Sequence, residues 1–139
     1  MPETTHSQSE VPNAFPQVIT IRKHTFRADV SIAGGGEDSA PGAHDYFDAA
    51  LAACKTTTAL WYARRNQFPL ERVEADIERD DAEERKGKYV LKVRLKFYGP
   101  LTPEQRTRIY NAISACPVHK LMTTTDVVIE TAPLDAEEN

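Results

Sequence analysis

Two short segments near the start of the chain alternate apolar and polar residues. The alternation runs over 17–22 (QVITIR) and over 26–32 (FRADVSI), with three polar residues between them. A period of two places successive side chains on opposite faces of a strand, and two such segments with a short connection indicate an antiparallel hairpin. Three consecutive glycines and Pro41 follow within 33–43, so we expect a loop there.

From His44 to about Asn66 the pattern becomes helical. Apolar and small residues recur at steps of three and four, and alanine, the best helix former, is abundant. The recurring positions are Phe47, Ala50, Leu51, Cys54, Thr58 and Trp61. Because small side chains allow close packing, we expect a central, largely buried helix with Cys54 in its middle.

The second half of the chain predicts another hairpin and another helix. Segments 72–79 and 88–98 alternate apolar with charged residues, which is typical of paired strands with one solvated face. Thr102 is followed by Pro, Glu and Gln, a capping box with proline at the first helical position. Ile109, Tyr110 and Ile113 mark the apolar stripe of that helix.

The helix leads to Cys116, which precedes Pro117. Proline fits the first turn of a new helix, so we expect a short helix over 118–122 with Cys116 near its N-terminus. The apolar segment 125–131 (TDVVIET) predicts a last strand. This order of elements predicts an α+β fold with a mainly antiparallel sheet.

We assign residues 17–132 to one folded domain. Residues 1–16 are expected to be a loose, flexible N-terminal tail, and 133–139 an acidic C-terminal tail. The start of the chain lacks the basic and apolar parts of an export signal, so we expect a cytoplasmic protein.

Composition excludes some classes of protein. Of the 139 residues 40% are hydrophobic and 27% charged, and no apolar run has the length of about 20 residues that spans a bilayer, so we expect no membrane partner. The net charge is -4 and basic residues form no stripe, which argues against nucleic acid as a partner.

The two cysteines, Cys54 and Cys116, are the candidate chemistry. In a reducing compartment a permanent disulfide is not expected, so they are either inert core thiols or a working pair. A reactive thiolate needs positive potential nearby. Cys116 meets that requirement at a helix N-terminus, whereas Cys54 must obtain it from elsewhere, for example from Arg22 and Arg27 on the first hairpin.

A zinc site is the other possibility for these residues. Cys54, Cys116, His44 and His119 could supply four ligands, but they lack the short paired spacings typical of structural zinc sites. We therefore expect no metal. His44 and Asp45 open the cysteine helix, where a carboxylate is favoured by the helix dipole.

The segment GAHDYFDAALAACKTTTALWYARR and the later ISACPVHKLM together resemble the OsmC/Ohr family of thiol hydroperoxide reductases. The resemblance spans residues 20–131. It implies an OsmC-like α+β fold in which two chains intertwine as a homodimer, with the thiols near the subunit interface. It also implies that Cys54 is peroxidatic and Cys116 resolving, the reverse of the order that the helix N-terminus favours.

The resemblance further implies a function in oxidative-stress defence. An organic hydroperoxide would be the substrate, a dithiol or thiol protein the reductant, and no metal or organic cofactor would be needed. The alternative is a weakly active or non-catalytic stress protein that holds an acyl-like ligand in an apolar groove around Leu51, Trp61 and Tyr62.

One position departs from the family pattern. Strongly active members carry a glutamate ten residues before the peroxidatic cysteine, in an Asn-Pro-Glu setting, where it orients an activating arginine. Here that position is His44, with Asp45 as a candidate substitute. Arg27, and after it Arg22, are the candidates for the arginine.

Overall fold

In a computed structural model, the described part of the chain, residues 3–134, combines short sheets with three α-helices. The strands are β1 (Thr5–Ser9), β2 (Gln17–Ile21), β3 (His24–Ala28), β4 (Arg72–Asp80) and β5 (Val90–Tyr98). The helices are α1 (Ala43–Arg65), α2 (Pro103–Ile113) and α3 (Pro117–Thr123), and a single 3-10 turn covers Glu84–Lys86. The predicted α+β class with antiparallel sheets is confirmed. None of the helices in this range has the length and apolar character needed to cross a membrane.

The first three strands form one antiparallel sheet with β2 in the middle. The predicted hairpin of β2 and β3 is present, with Ile19 opposite Phe26. The N-terminal residues differ from the expected loose tail, because Thr5–Ser9 pair along the other edge of β2, with Thr5 opposite Ile21. The backbone pairing with the open edge of β2 explains why this polar segment is ordered, and it gives β2 a neighbour on each side.

The strand β3 ends at Ala28, four residues earlier than the alternation predicts. The Asp29 carboxylate turns the chain there, accepting hydrogen bonds from the backbone of Val30 at 2.7 Å and from both the backbone and the hydroxyl of Ser39, at 2.9 and 2.7 Å. These donors, led by the Ser39 hydroxyl, lower the pKa of Asp29 to about 2. The glycine-rich segment 33–43 is a loop up to the start of α1, as predicted.

The two predicted strands of the second hairpin pair as the sheet of β4 and β5. The capping box is also present: Thr102 Oγ1 accepts from the Gln105 backbone at 3.1 Å, and Gln105 Oε1 accepts from the Thr102 backbone at 3.0 Å. The short helix α3 begins at Pro117 with Cys116 as its N-cap residue, which agrees with the prediction.

The predicted last strand is wrong for a single chain. Residues 125–131 have no strand assignment, and their apolar side chains are exposed, reaching 86% at Ile129. An apolar segment alone cannot form a strand, because its backbone groups need a neighbouring edge to pair with. The acidic tail expected at 133–139 lies outside the described residues from 135 onward.

The contacts of the chain divide it into two compact units. The first contains the residues up to Ala53 together with Ala75–Leu95, and the second contains Cys54–Glu74 together with the residues from Lys96 onward. The helix α1 contributes to both, and its buried positions follow a four-residue spacing: Leu51, Lys55, Ala59 and Ala63. In contrast with the expected largely buried helix, α1 leaves Phe47 46% and Trp61 59% exposed.

Candidate active site

The two cysteines meet in the second unit. Both are free thiols, Cys54 partly exposed in α1 and Cys116 only 1% exposed at the start of α3. The backbone N–H of Val118 points at Cys54 Sγ, 3.4 Å away, and Thr58 Oγ1 lies 3.8 Å from the same sulfur. We call these four residues the thiol cluster.

The two thiols differ in acidity. Burial alone raises the pKa of Cys54, but hydrogen bonds from the Val118 N–H and the Cys116 thiol outweigh it and hold that pKa below its usual range. Burial, together with the hydrogen bond that it makes to Cys54, raises the pKa of Cys116. The N-terminus of α3 therefore favours the thiolate of Cys54, whereas reasoning from position along the chain favoured that of Cys116.

A cavity of about 410 Å³ opens beside Cys116. Its lining residues are mostly small or apolar: Thr57, Thr58, Trp61, Ala112, Ala115, Cys116 and Pro117. Of the three residues expected around an apolar ligand groove, Trp61 lines this cavity. Leu51 is 5% exposed, and Tyr62 packs edge-on against Phe68 with ring centroids 6.1 Å apart.

Lys55, the residue after Cys54 in the sequence, is buried and contacts the end of α2 and the first turn of α3. Lys55 is 3% exposed, and its Nζ donates to Ile113 O at 2.8 Å and Ser114 O at 3.1 Å. It also lies 3.1 Å from Nδ1 of His119. Its place in the four-residue buried spacing of α1 is the sequence signal that could have found it.

The first turns of α1 carry a different group of side chains, which we call the helix-start cluster. Its members are His44, Asp45, Asp48, Arg79, Glu84 and Tyr89. Arg79 joins α1 to β4 by donating to Asp45 at 2.8 Å and to Asp48 at 2.7 Å. Asp48 also accepts from the Tyr89 hydroxyl at 2.8 Å.

These contacts set the electrostatics of the cluster. The Gly42 N–H and the Arg79 guanidinium lower the pKa of Asp45, and the two aspartates raise the pKa of Arg79. Burial and the neighbouring Asp48 raise the pKa of Tyr89 to about 12. Asp45 and Arg79 are therefore charged at neutral pH, whereas Tyr89 is neutral.

His44 contacts Glu84, with 2.9 Å between Nε2 and Oε2. This hydrogen bond raises the pKa of His44, whose side chain is 57% exposed. Both residues also line a cavity of about 380 Å³ with Phe47 and Tyr89. His44 thus stands where the family pattern has a glutamate, and its imidazole contacts a carboxylate, that of Glu84.

The arginines named from the sequence have other partners. Arg27 forms a two-point pair with Glu10, at 2.8 and 3.0 Å, and Arg22 pairs with Glu3 at 2.9 Å. The arginine bound to Asp45 is Arg79, which sequence reasoning missed. It lies near the end of β4 in a strand rich in charged residues, so its position alone did not distinguish it.

Across residues 3–134, no group of three or more His, Cys, Asp or Glu side chains is arranged to hold a metal ion. The two cysteines and two histidines considered for zinc have the contacts given above: the cysteines with each other, His119 with Lys55, and His44 with Glu84.

Comparison with known structures identifies the fold. An OsmC-like protein from Mycoplasma pneumoniae matches with a TM-score of 0.71 and 12% identity, over 89% of each chain. An organic hydroperoxide resistance protein OsmC from Legionella pneumophila matches with a TM-score of 0.62 and 14% identity, over 89% of this chain and 90% of that one. The organic hydroperoxide resistance protein OhrB of Bacillus subtilis matches with a TM-score of 0.59 and 18% identity, over 89% of this chain and 92% of that one.

Comparison with curated protein sequences gives no significant match. At the level of families, the model described as OsmC-like protein matches residues 35–132. This range is more than half of the chain and includes both cysteines and all three helices. The protein therefore belongs to the OsmC-like family.

Proposed function

We propose that this protein is a thiol-dependent reductase of organic hydroperoxides, with Cys54 as the peroxidatic and Cys116 as the resolving cysteine. One observation carries the proposal: the Val118 N–H, two residues after Cys116, lies 3.4 Å from Cys54 Sγ, and the pKa of Cys54 is lowered while that of Cys116 is raised. Since the thiolate is the nucleophile, this difference supports Cys54 as the first to react. Family membership and neighbours named for hydroperoxide resistance support a role in stress defence.

The proposed cycle has three steps. The Cys54 thiolate attacks one oxygen of the hydroperoxide, the O–O bond breaks, and the other oxygen takes up a proton and leaves as an alcohol. Cys54 is then a sulfenic acid. The Cys116 thiol displaces its oxygen as water and forms a disulfide, and a dithiol reduces that disulfide by thiol exchange.

The environment of the sulfurs suits this sequence. The Val118 N–H, which donates to the Cys54 sulfur, favours negative charge there before attack. Cys116 is a neutral thiol when Cys54 is ionised, so a proton is available next to the reacting sulfur. The cycle needs a steady supply of reduced thiols, and we propose the cytoplasm as the compartment.

The proposal also keeps a role for the residues named from the family pattern. His44 stands at the position of the family's glutamate, Asp45 binds Arg79, and Arg27 is held by Glu10. We propose that His44 and Asp45 modulate the reactivity of the thiols. We also propose that Arg27, on the first hairpin, is the arginine that activates the peroxidatic thiol. Comparing Arg27→Ala with Glu10→Gln tests the last point, because the second change frees the guanidinium without removing it.

A homodimer is part of the proposal. Within the described residues several apolar side chains are exposed to water, among them Trp61 at 59%, Val128 at 69% and Ile129 at 86% exposure. Burial of such side chains against a second copy of the chain would remove them from water and offer the segment 125–131 a strand to pair with.

Light scattering of the purified protein tests the dimer, with twice the mass of 15.6 kDa as the expected result. Ile129→Lys should weaken the dimer, because it places a charge in the buried interface. Ile32→Lys is the matched control, since Ile32 is a loop residue 73% exposed. A folded wild-type protein with the mass of one chain contradicts this part of the proposal.

Peroxide consumption with dithiothreitol as reductant tests the activity. We expect turnover of cumene and tert-butyl hydroperoxides that exceeds turnover of hydrogen peroxide, because the lining of the cavity beside Cys116 is mostly apolar. Thr57→Ser, a small change in that lining, serves as a control that keeps both thiols. Folded wild-type protein that consumes none of the three hydroperoxides at a rate above dithiothreitol alone contradicts the proposal.

A further inference from the structure

The lysine next to Cys54 in sequence lies in the buried stripe of α1, between Leu51 and Ala59. Lys55 is 3% exposed, and a buried ammonium group is costly unless its N–H donors are satisfied. The acceptors described for it are two backbone carbonyls and a histidine nitrogen. None of these three acceptors is a carboxylate, so a surface salt bridge does not explain why Lys55 lies here.

The number of acceptors fits a charged lysine. An ammonium group has three N–H donors, whereas a neutral amine has two. The three acceptors lie at 2.8 Å (Ile113 O), 3.1 Å (Ser114 O) and 3.1 Å (His119 Nδ1) from Lys55 Nζ. Each N–H of an ammonium thus has one partner.

Two of these acceptors are the end of a helix. Ile113 is the last residue of α2 and Ser114 is its C-cap, so their carbonyls are among those that lack a partner inside the helix. A positive charge at this end also interacts favourably with the helix dipole. Lys55 therefore caps α2 from a neighbouring helix.

The third acceptor lies in the first turn of α3. Nδ1 of His119 can accept from an ammonium only when it carries no proton, so the imidazole is neutral, with its hydrogen on Nε2. Burial and the positive charge of Lys55 both lower the pKa of His119, in agreement with this assignment. Lys55 thus connects the end of α2 to the start of α3, on either side of Cys116.

We infer that Lys55 is a positioning residue of the thiol cluster: it holds the first turn of α3, and with it the Val118 N–H, against Cys54, and its charge favours the thiolate. The inference rests on the proposed function only in taking that thiolate as the reacting form. The titratable groups that face this charge are Cys54, Cys116 and His119. Burial and hydrogen bonds act on the pKa of each thiol, and in addition the positive charge of Lys55 lowers the pKa of both.

The test uses alkylation rather than hydroperoxide turnover. The reduced full-length protein is treated with iodoacetamide from about pH 5 to about pH 9, and mass spectrometry follows Cys54 and Cys116 separately. In Lys55→Met we expect the Cys54 rate on the acidic side of its profile to fall roughly threefold or more, with the midpoint moved to higher pH. Lys55→Arg keeps the charge and should restore most of the rate.

Lys120→Met is the matched control, since it removes the same charge from an exposed position of α3. Its profile should stay within about twofold of wild type, because exposed charges act weakly through water. An unchanged Cys54 midpoint in folded Lys55→Met, or an equal shift in Lys120→Met, overturns the inference.

A second pair of variants decides the question if Lys55→Met does not fold. His119→Gln replaces the ring nitrogen by an amide oxygen that can still accept from the ammonium, whereas His119→Leu removes the acceptor. We expect the Cys54 profile to move to higher pH in the leucine variant and to stay near wild type in the glutamine variant, and identical profiles overturn the inference. A wild-type protein that consumes no hydroperoxide contradicts the proposed function but leaves all these alkylation outcomes readable.

Discussion

The thiol cluster and the helix-start cluster belong to the same helix, α1, and differ in how they control charge. In the thiol cluster a few hydrogen bonds act on sulfurs that are largely shielded from water, with Cys116 only 1% exposed. In the helix-start cluster, formal charges meet in pairs that water reaches, with the side chains of His44 57% and Asp45 55% exposed.

The number of charged groups in a cluster does not by itself determine how strongly they affect reactivity. The helix-start cluster holds three carboxylates and an arginine, yet solvent screens its exposed pairs, His44–Glu84 and Arg79–Asp45, and exposed ion pairs typically contribute about 0–1 kcal/mol. The thiol cluster has only neutral donors, with one buried cation, Lys55, beside it, but low solvent access strengthens each of these interactions. We therefore expect substitutions in the thiol cluster to have the larger effects.

The largest effect expected is an asymmetry between the two cysteines. Cys54→Ser should abolish turnover of an organic hydroperoxide, whereas Cys116→Ser should still allow one oxidation, because only the peroxidatic thiol is consumed in the first step. Without Cys116 the sulfenic acid of Cys54 has no internal thiol to react with, and it should persist or oxidise further. One equivalent of hydroperoxide, followed by sulfenic acid trapping and mass measurement, separates these outcomes.

The same experiment can reverse the assignment. Oxidation of Cys116 in Cys54→Ser at the wild-type rate would make Cys116 the peroxidatic residue, in line with its N-cap position on α3. Slow oxidation of both thiols in folded wild-type protein would instead favour a binding protein that uses the cavity beside Trp61.

The next effect concerns stability in the second unit. Ile113 is completely buried at the end of α2, so Ile113→Ala should lower the free energy of unfolding by about 2–5 kcal/mol through lost burial and a cavity. Ile113→Val, which removes one methylene, should cost about 0.5–1.5 kcal/mol. Urea unfolding measures both, and equal losses for the two variants would mean that this site relaxes to fill the space.

The sequence predicted most elements because local patterns determine them. Alternation gave β2 to β5, and the Thr102 capping box and Pro117 marked the starts of α2 and α3. The apolar segment 125–131 also predicted a strand but lacks a partner strand among the described residues of this chain. Strand pairing is a property of two segments, so the pattern of one segment cannot establish it.

The site was predicted in part, for a similar reason. The cysteines stand out by residue type and by the resemblance, and they do come together. The partners of Lys55 and Arg79 depend on which chain segments meet, as with Lys55 and Ser114, which are 59 positions apart. The acidity of a thiol also depends on which segments meet, because the N-terminus of α3 acts on Cys54, a residue far from it in sequence.

A smaller, pH-dependent effect is expected at Asp29, in the first unit. Its folded-state pKa of about 2 lies below the ordinary value of 3.8, so its contribution to stability is present above about pH 4 and is lost as the pH falls through 2. Asp29→Asn should therefore be less stable than wild type at neutral pH, with the difference shrinking in acid. Urea midpoints of both proteins, taken from neutral pH downward, measure it, and a pH-independent difference would rule out the carboxylate as its source.

The smallest effect belongs to His44 in the helix-start cluster. Its pKa is raised by Glu84, so the contact stabilises the fold below the ordinary value of 6.5 and is lost as the pH rises through the folded-state pKa. Glu84→Gln should lower the midpoint of the His44 imidazole in an NMR titration, with Glu83→Gln as the matched control. If His44 also tunes the thiols, His44→Ala will change the alkylation rate of Cys54 by a small factor at acidic pH and by less at alkaline pH, where the imidazole is neutral in any case. An identical profile from about pH 5 to about pH 9 would limit His44 to its contact with Glu84 and leave thiol reactivity to the second unit alone.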